Sequence, residues 1–335
     1  MRIGLAFDLK NSIVTEQDSP DDILEEYDSP ETVEGIASVL ENYGHQVYKL
    51  GGGKDFINNI LATPVDFVFN ISEGLGHYRS REAQVPSILE MLNIPYAGSD
   101  PLCLAVSLDK PLTKKIATLS GITTPRWRVI NNYQDIFSGN WTDFPFPAFI
   151  KPAHEGSSKG IRLFSRINNE DELIRLATEL LKDYKQPVLV EEFIEGDEIT
   201  VGTIGNSELK ILGIMKVISR ESSGDFIYSL EIKRDWERLV DYECPAKISD
   251  ETARKIETFS RQIFRELDCH DFARIDFKLN RNGEPYFLEI NPLAGLNPKS
   301  SDLPIMIGKQ SGRYEDLIIN ILNTALERCN LCVPK

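Results

Sequence analysis

Two short apolar runs near the C-terminal end, FARIDFKL at 272–279 and PYFLEI at 285–290, are separated by Asn280-Arg281-Asn282-Gly283 and Glu284. Asn282-Gly283 between strand-like runs is a hairpin signal. Side chains alternate along a strand, so Arg274 and Asp276 share one face. Glu289 and Asn291 share the matching face of the partner strand. The residues between them (Ile275, Phe277, Leu288, Ile290) are apolar. Three oxygen-bearing side chains, Asp276, Glu289 and Asn291, therefore converge beside an apolar layer. Hard oxygen ligands suit Mg²⁺, whose shell is completed by phosphate and water. Arg274 is placed to neutralise a transferring phosphoryl group or a developing oxyanion. A plain ladder of surface salt bridges on a hairpin fits the same residues equally well.

The chain of 335 residues is too long for one compact core, so two or three packed units are expected. The first hundred residues alternate strand and helix. IGLAF, QVYKL and VDFVFNI are short and apolar. Ser29-Pro30-Glu31 opens a helix to about Tyr43, and Gly44 closes it. This alternation implies a parallel sheet with helices on its faces. A further helix is expected from Glu82 to Leu92. The spacing predicts helices over 109–120, 171–184, 250–267 and 314–328. Strands are predicted at WRVI, PAFIKP, IRLF, PVLVEEFI, EITVGTIG and LKILGIMKVI.

With 37 Lys and Arg against 52 Asp and Glu, the net charge is −15. Such a balance argues against nucleic acid or an anionic membrane as partner. It leaves room for a nucleotide if a few cations converge. No apolar run is long enough to span a bilayer, and MRIGLAF looks like a strand rather than a signal peptide. Five scattered cysteines suit a reduced, cytoplasmic protein. Cys329 and Cys332 have CxxC spacing but no second pair.

Two more segments carry chemistry. Lys151 ends a strand and leads into His154-Glu155-Gly156-Ser157-Ser158-Lys159-Gly160, a loop able to turn backbone N–H groups onto phosphate oxygens. It lacks Walker spacing, and a solvated turn is the competing reading. Lys110 is a second candidate cation. At Glu191-Glu192-Phe193-Ile194-Glu195-Gly196-Asp197-Glu198 a strand leaves one unit and the chain crosses to the next. That crossing offers a crevice for a flat base, with Glu198 able to accept from ribose hydroxyls; an acidic linker is the alternative.

In order and spacing, IPYAGSDP, AVSLDK, IKPAHEGSSKG, VLVEEFIEGDEITV, CPA and ARIDFKL…GEPYFLEINPLAG resemble the ATP-grasp superfamily, and most of all its D-alanine–D-alanine ligases. The resemblance implies an α/β and α+β architecture. A parallel, Rossmann-like domain (1–105) would precede a central subdomain (106–195) and a C-terminal subdomain (196–330) that clasp ATP. It implies that Lys110, Lys151 and Ser158 contact the ATP phosphates. Glu191, Phe193 and Ile194 would frame adenine, and Glu198 would hold ribose. Asp276, Glu289 and Asn291 would hold Mg²⁺, with two ions expected and Mn²⁺ able to replace it. Arg274, Lys233, Ser157 and the Gly295 amide would be catalytic, Lys233 arriving on a loop spanning 222–235. The implied reaction phosphorylates a carboxylate and lets an amine displace the phosphate. A homodimer is implied by the same resemblance.

The substrate segments depart from that family. A longer acidic stretch at 7–30 replaces the Gly-Gly turn and Glu-Arg-Glu of D-alanine ligases, and Glu25 or Glu26 stands near the place of its first acid. Glu73-Gly74 replaces His-Gly, and Ala294-Gly295-Leu296-Asn297 replaces Pro-Gly-Met-Thr. Glu25, Glu73, Arg81, Glu82 and Ser301 are the candidate substrate contacts; helix-start charges are the alternative for 73–82. Three functions stay open. One is a ligase for small-molecule acids and amines, amino acids other than D-alanine being favoured. Another is an authentic D-alanine–D-alanine ligase. The third is a nucleotide-binding regulator without ligation, which Arg274 and Lys233 argue against.

Overall fold

The computed structural model describes residues 1–15, 17–221 and 226–331. Strands β1 (Arg2–Ala6), β2 (Gln46–Gly51), β3 (Phe67–Asn70) and β4 (Tyr96–Ala97) form a parallel sheet of order β2-β1-β3-β4. Helices α1 (Pro30–Asn42), α2 (Gly53–Ala62), α3 (Gln84–Met91) and α4 (Pro101–Leu108) belong to the same stretch. Ser29 caps α1 by accepting from the Thr32 amide, and Pro30 occupies the first helical turn, as expected from the residues.

The second stretch of chain contains α5 (Lys110–Leu119), β5 (Trp127–Ile130), α6 (Tyr133–Ser138), β6 (Ala148–Pro152), β7 (Arg166–Ile167), α7 (Glu170–Tyr184) and β8 (Val188–Glu192). Its antiparallel sheet runs β5-β8-β6-β7. The third contains β9 (Gly196–Ile204), β10 (Lys210–Ser219), α8 (Leu230–Arg234), α9 (Trp236–Leu239), β11 (Val240–Glu243), α10 (Asp250–Glu266), β12 (Phe272–Asn280), β13 (Pro285–Asn291), α11 (Asp302–Lys309) and α12 (Tyr314–Arg328). Its antiparallel sheet runs β11-β10-β9-β12-β13.

Two sequence expectations are corrected. IRLF at 161–164 is not a strand; Leu163–Ser165 is a 3-10 turn and only Arg166–Ile167 pairs. Gly160 sits at φ +75 and Leu163 and Phe164 lie exposed, so this stretch has no buried face to hold in a sheet. The helix expected from Glu82 begins as a 3-10 turn at Arg81–Ala83 and becomes α-helical only at Gln84.

The cores follow the sheets except at several helices: Cys103 of α4 and Ala117 of α5 sit in the core of the third sheet with Ile199, Val201, Ile275 and Phe277, and α12 returns to the first. Leu317, Ile318, Ile321 and Leu322 of α12 pack with Ile3, Leu5, Phe67 and Phe69 of the first sheet and with Ile36 and Leu40 of α1. The last helix thus closes the core that the first strand opens. No helix among the described residues is long and apolar enough to cross a membrane. Cys103, Cys244, Cys269 and Cys329 are free thiols, and Cys332 lies outside the described residues.

Candidate active site

Strands β12 and β13 pair antiparallel with Arg274 opposite Asn291 and Asp276 opposite Glu289. Ile275, Phe277, Phe287 and Ile290 are buried on the other face, as alternation requires. Thr200 on β9 donates to Asp276 Oδ1 (3.0 Å). Arg274 holds Asp276 through Nε (3.0 Å) and Nη2 (2.8 Å), and its Nη1 reaches Asp302 (3.2 Å). Lys110 Nζ stands 3.3 Å from Glu289. Burial pushes the Glu289 carboxyl up, but Lys110 and Lys151 outweigh it and hold Glu289 down at about 2. Burial, with Glu289's charge and against Arg274, pushes Asp276 up to about 6.

These groups fit a hard divalent cation. Asn291 Nδ2 lies between Asp276 Oδ2 (3.3 Å) and Glu289 Oε1 (3.5 Å), so the amide turned over would put an oxygen between two carboxylates. No group of three or more His, Cys, Asp or Glu able to hold a metal occurs among the described residues. Two carboxylates and an amide are the sparse set that suits Mg²⁺ shared with phosphates and water. When bound, such an ion would neutralise phosphate charge.

A cleft leads from these carboxylates to an apolar slot. The slot is lined by Phe149, Phe193, Ile194, Phe226, Ile227 and Leu288, with Glu198 and Lys278 at its polar side. Glu198 Oε1 accepts from Lys278 Nζ (3.2 Å) and from the Tyr228 amide (3.3 Å). Glu191 also lines the slot, but its carboxylate is committed to Lys151 (2.7 Å) and to Lys114. The neighbouring space is lined by Lys110, Lys151, Ser157, Ser158, Glu198, Lys233, Arg274, Asp276 and Glu289. Ser157 and Ser158 adopt left-handed backbone at φ 50 and 59, and Ser158 donates to the Tyr228 carbonyl (3.3 Å). Burial and Arg274 depress the Lys233 ammonium, which lies at the edge of α8. Residues 222–225 of its expected loop lie outside the described residues.

A larger cavity of about 250 Å³ opens beyond, sharing Lys110, Ser157, Lys233 and Arg274. Glu25, Glu73, Glu82, Gly295 and Ser301 line it. Ser301 Oγ accepts from the Asn297 amide (2.9 Å). A Cβ at Gly295 would lie 2.8 Å from that hydroxyl. Glu25 is paired with Arg234 (2.7 Å) and Lys10 (3.4 Å). Arg81 is a correction. It does not line the cavity; its guanidinium, 2% exposed, is spent on Glu26 (2.6 Å), Glu155 (3.3 Å) and the His154 carbonyl (2.8 Å). A buried guanidinium with three acceptors is part of the wall, not a substrate hand.

Sequence reasoning missed Lys114, Lys278 and Asp302. Lys114 follows Lys110 by one helical turn on α5, a spacing that puts both on one face. Lys278 follows Asp276 by two along β12, so it shares the charged face.

The model for the D-ala D-ala ligase C-terminus family matches residues 115–323. The D-alanine–D-alanine ligase of Aquifex aeolicus is 34% identical, covering 88% of this chain and 94% of its own length. The chain belongs to the D-alanine–D-alanine ligase family of ATP-grasp proteins. This family member is an ATP-dependent, ADP-forming carbon–nitrogen ligase. The uncharacterized protein y4sG of Sinorhizobium fredii is 31% identical, covering 88% of this chain and 87% of its own. In fold, the chain matches the D-alanine–D-alanine ligase of Bacillus anthracis complexed with ATP, at TM-score 0.76 and 23% identity. That match covers 98% of this chain and 99% of the other.

Proposed function

We propose that this ligase joins the carboxylate of one amino acid to the amine of another through an acyl phosphate, and that its substrates are not a pair of D-alanines. ATP lies with its base against Phe193 and Ile194, its ribose at Glu198 and its phosphates toward Lys110, Lys151 and the 156–160 loop. A carboxylate oxygen of the donor attacks the γ-phosphorus and ADP leaves. The amine nitrogen then attacks the acyl carbon, inorganic phosphate departs, and the nitrogen loses a proton. Arg274 and the Gly295 amide face the oxyanion of that step, and Lys233 faces the transferred phosphoryl group. The Mg²⁺ complement at Asp276, Glu289 and Asn291 is proposed as two ions.

One observation carries the reading. The phosphate-side residues Lys110, Ser157, Lys233 and Arg274 also line the larger cavity, so a carboxylate in that cavity would meet the γ-phosphate. The names of the curated relatives favour a second reading, ligation of D-alanine to itself. The replaced substrate segments at 7–30, 73–74 and 294–297 favour the first. Incubation with Mg-ATP and pairs of amino acids, with phosphate release measured, tests both. Release with D-alanine alone at the highest kcat/KM of a panel would support the second and overturn the first.

A further inference from the structure

Six described residues line both the phosphate space and the larger cavity: Lys110, Gly156, Ser157, Lys233, Arg274 and Asp302. They mark the passage an acyl phosphate would occupy, with its phosphate on one side and its acyl group on the other. Three of the six are cations, Gly156 has no side chain, and Ser157 is neutral. Among the described residues Asp302 is the one carboxylate at that passage. Glu25, Asp28, Glu73 and Glu82 line the larger cavity without reaching the phosphate space, and Asp276 and Glu289 line the phosphate space without reaching the cavity.

The fold gives Asp302 a fixed place. It opens α11, whose Leu303 and Met306 are fully buried. Ser301 just before it turns its hydroxyl to the Asn297 amide (2.9 Å), which pins the start of the helix. The Asp302 side chain is 13% exposed, and its Oδ2 lies 3.2 Å from Arg274 Nη1. Its Oδ1 has no hydrogen bond or ion pair among the described residues and is left for the passage. Arg274 meanwhile reaches Asp276 with Nε (3.0 Å) and Nη2 (2.8 Å), so one guanidinium fixes a carboxylate on each side of itself. The second half of the ligation needs such a group. An amino acid's amine is an ammonium at neutral pH and has no lone pair to give. Lys110, Lys233 and Arg274 would repel it, and it cannot attack until a proton leaves.

We infer that Asp302 is a catalytic base, its Oδ1 holding the acceptor's ammonium beside the acyl carbon and taking a proton from it. This rests on the ligase reading above. The proton passes from nitrogen to Oδ1, and the freed lone pair forms the carbon–nitrogen bond. The carbon–oxygen bond to phosphate breaks, its electron pair leaves on inorganic phosphate, and the nitrogen's second proton goes with that phosphate. Arg274, which faces the oxyanion of the same step, holds the base in register with it.

The test compares two acceptors, with Mg-ATP and a panel of D- and L-amino acids as donors. One acceptor is an amino acid, which arrives as an ammonium. The other is hydroxylamine, whose nitrogen is largely unprotonated at neutral pH and needs no base. Wild type should form amide with the first and hydroxamate with the second. Asp302→Asn should lower kcat for amide formation at least about a hundredfold more than kcat for hydroxamate formation. Asp302→Glu, which restores a carboxylate, should recover at least about tenfold of that loss. Should the asparagine variant not fold, the same comparison in Asp302→Ser decides. Equal loss with both acceptors would show that Asp302 only places Arg274, and would overturn the inference. Amide formation at the wild-type rate would overturn it too, and either result leaves the ligase reading standing. A wild-type protein that forms neither amide nor hydroxamate from any acid would sink the ligase reading, and the inference with it.

Discussion

Asp276 shows how much one residue's surroundings reveal. Its position on the charged face of β12 was legible from strand alternation and a hairpin turn, and so were those of Arg274, Glu289 and Asn291. Asp276→Asn keeps the shape and removes the charge a divalent cation needs. Changing a residue that only holds a metal's ligand in place costs about 10–100-fold, so changing a side chain that would touch the ion should lower ADP formation at least about a hundredfold. Circular dichroism should be unchanged, and wild-type turnover in the variant would refute the metal assignment. Glu82 shows what the sequence hides, because its meaning depends on which cations are already taken. Its folded carboxyl is pushed up to about 7 by burial, above the ordinary 4.5. The folded state therefore holds the proton more tightly than the unfolded chain. The stability this gives is present below about pH 4.5 and is lost as pH rises through 7. At about 1.4 kcal/mol per unit, the shift from 4.5 to about 7 should make Glu82→Gln more stable than wild type by about 3.5 kcal/mol at pH 8. The two should be equal near pH 4.5. Urea unfolding at the two pH values checks this, and an advantage independent of pH would contradict it.

Elements were legible where local signals act alone. The helix at 314–328 matches α12 to the residue because its apolar period and its ends are both local. The helix at 53–62 was not expected, since Gly52 caps it without a side chain and Gly53 opens it at φ +52. Beyond Glu25 as a candidate substrate contact, the acidic stretch at 21–28 had no role legible in the sequence, because its partners lie far along the chain. Asp22 accepts from the Gly160 amide (2.8 Å) and the Tyr184 hydroxyl (2.8 Å) and pairs with Arg162 (3.3 Å). Glu26 accepts from the Gly156 amide, and Asp21 and Glu25 hold Arg234 beside Lys233 (2.8 and 2.7 Å). The stretch ties the 156–160 loop and α8 to the first sheet. Asp22→Ala leaves the Gly160 amide and the Tyr184 hydroxyl without this acceptor. The loss of one charge-assisted partner is worth about 1.5 kcal/mol, so KM for ATP should rise about tenfold with a smaller change in kcat. Initial-rate kinetics would decide, and an unchanged KM would show that the loop is ordered without the strap.

At the scale of the molecule, the chain's two ends share one core. The sequence divides into three stretches by its alternation of strands and helices, but that pattern does not say that α12 returns to the first sheet. An amphipathic helix shows that it has an apolar face and not which sheet covers it. Leu322 is fully buried among Ile3, Leu5 and Phe67 and neighbours of α1. Leu322→Ala removes several buried carbons and leaves a cavity, which costs about 3 kcal/mol in well-packed cores. Where that loss appears depends on coupling. Helix α12 packs against α1, β4, α11 and β9 and shares its core with Ile3, Leu5, Phe67 and Phe69 of β1 and β3, so amide exchange should speed up at Arg2–Ala6 and Phe67–Asn70. The strands Trp127–Ile130 and Val188–Glu192 share no core cluster with Leu322 and should keep their protection. Hydrogen exchange followed by mass spectrometry resolves these peptides separately. Uniform loss of protection across all three sheets would show instead that the units unfold as one cooperative body. Loss confined to α12 would show that the first sheet holds its fold without the C-terminal helix.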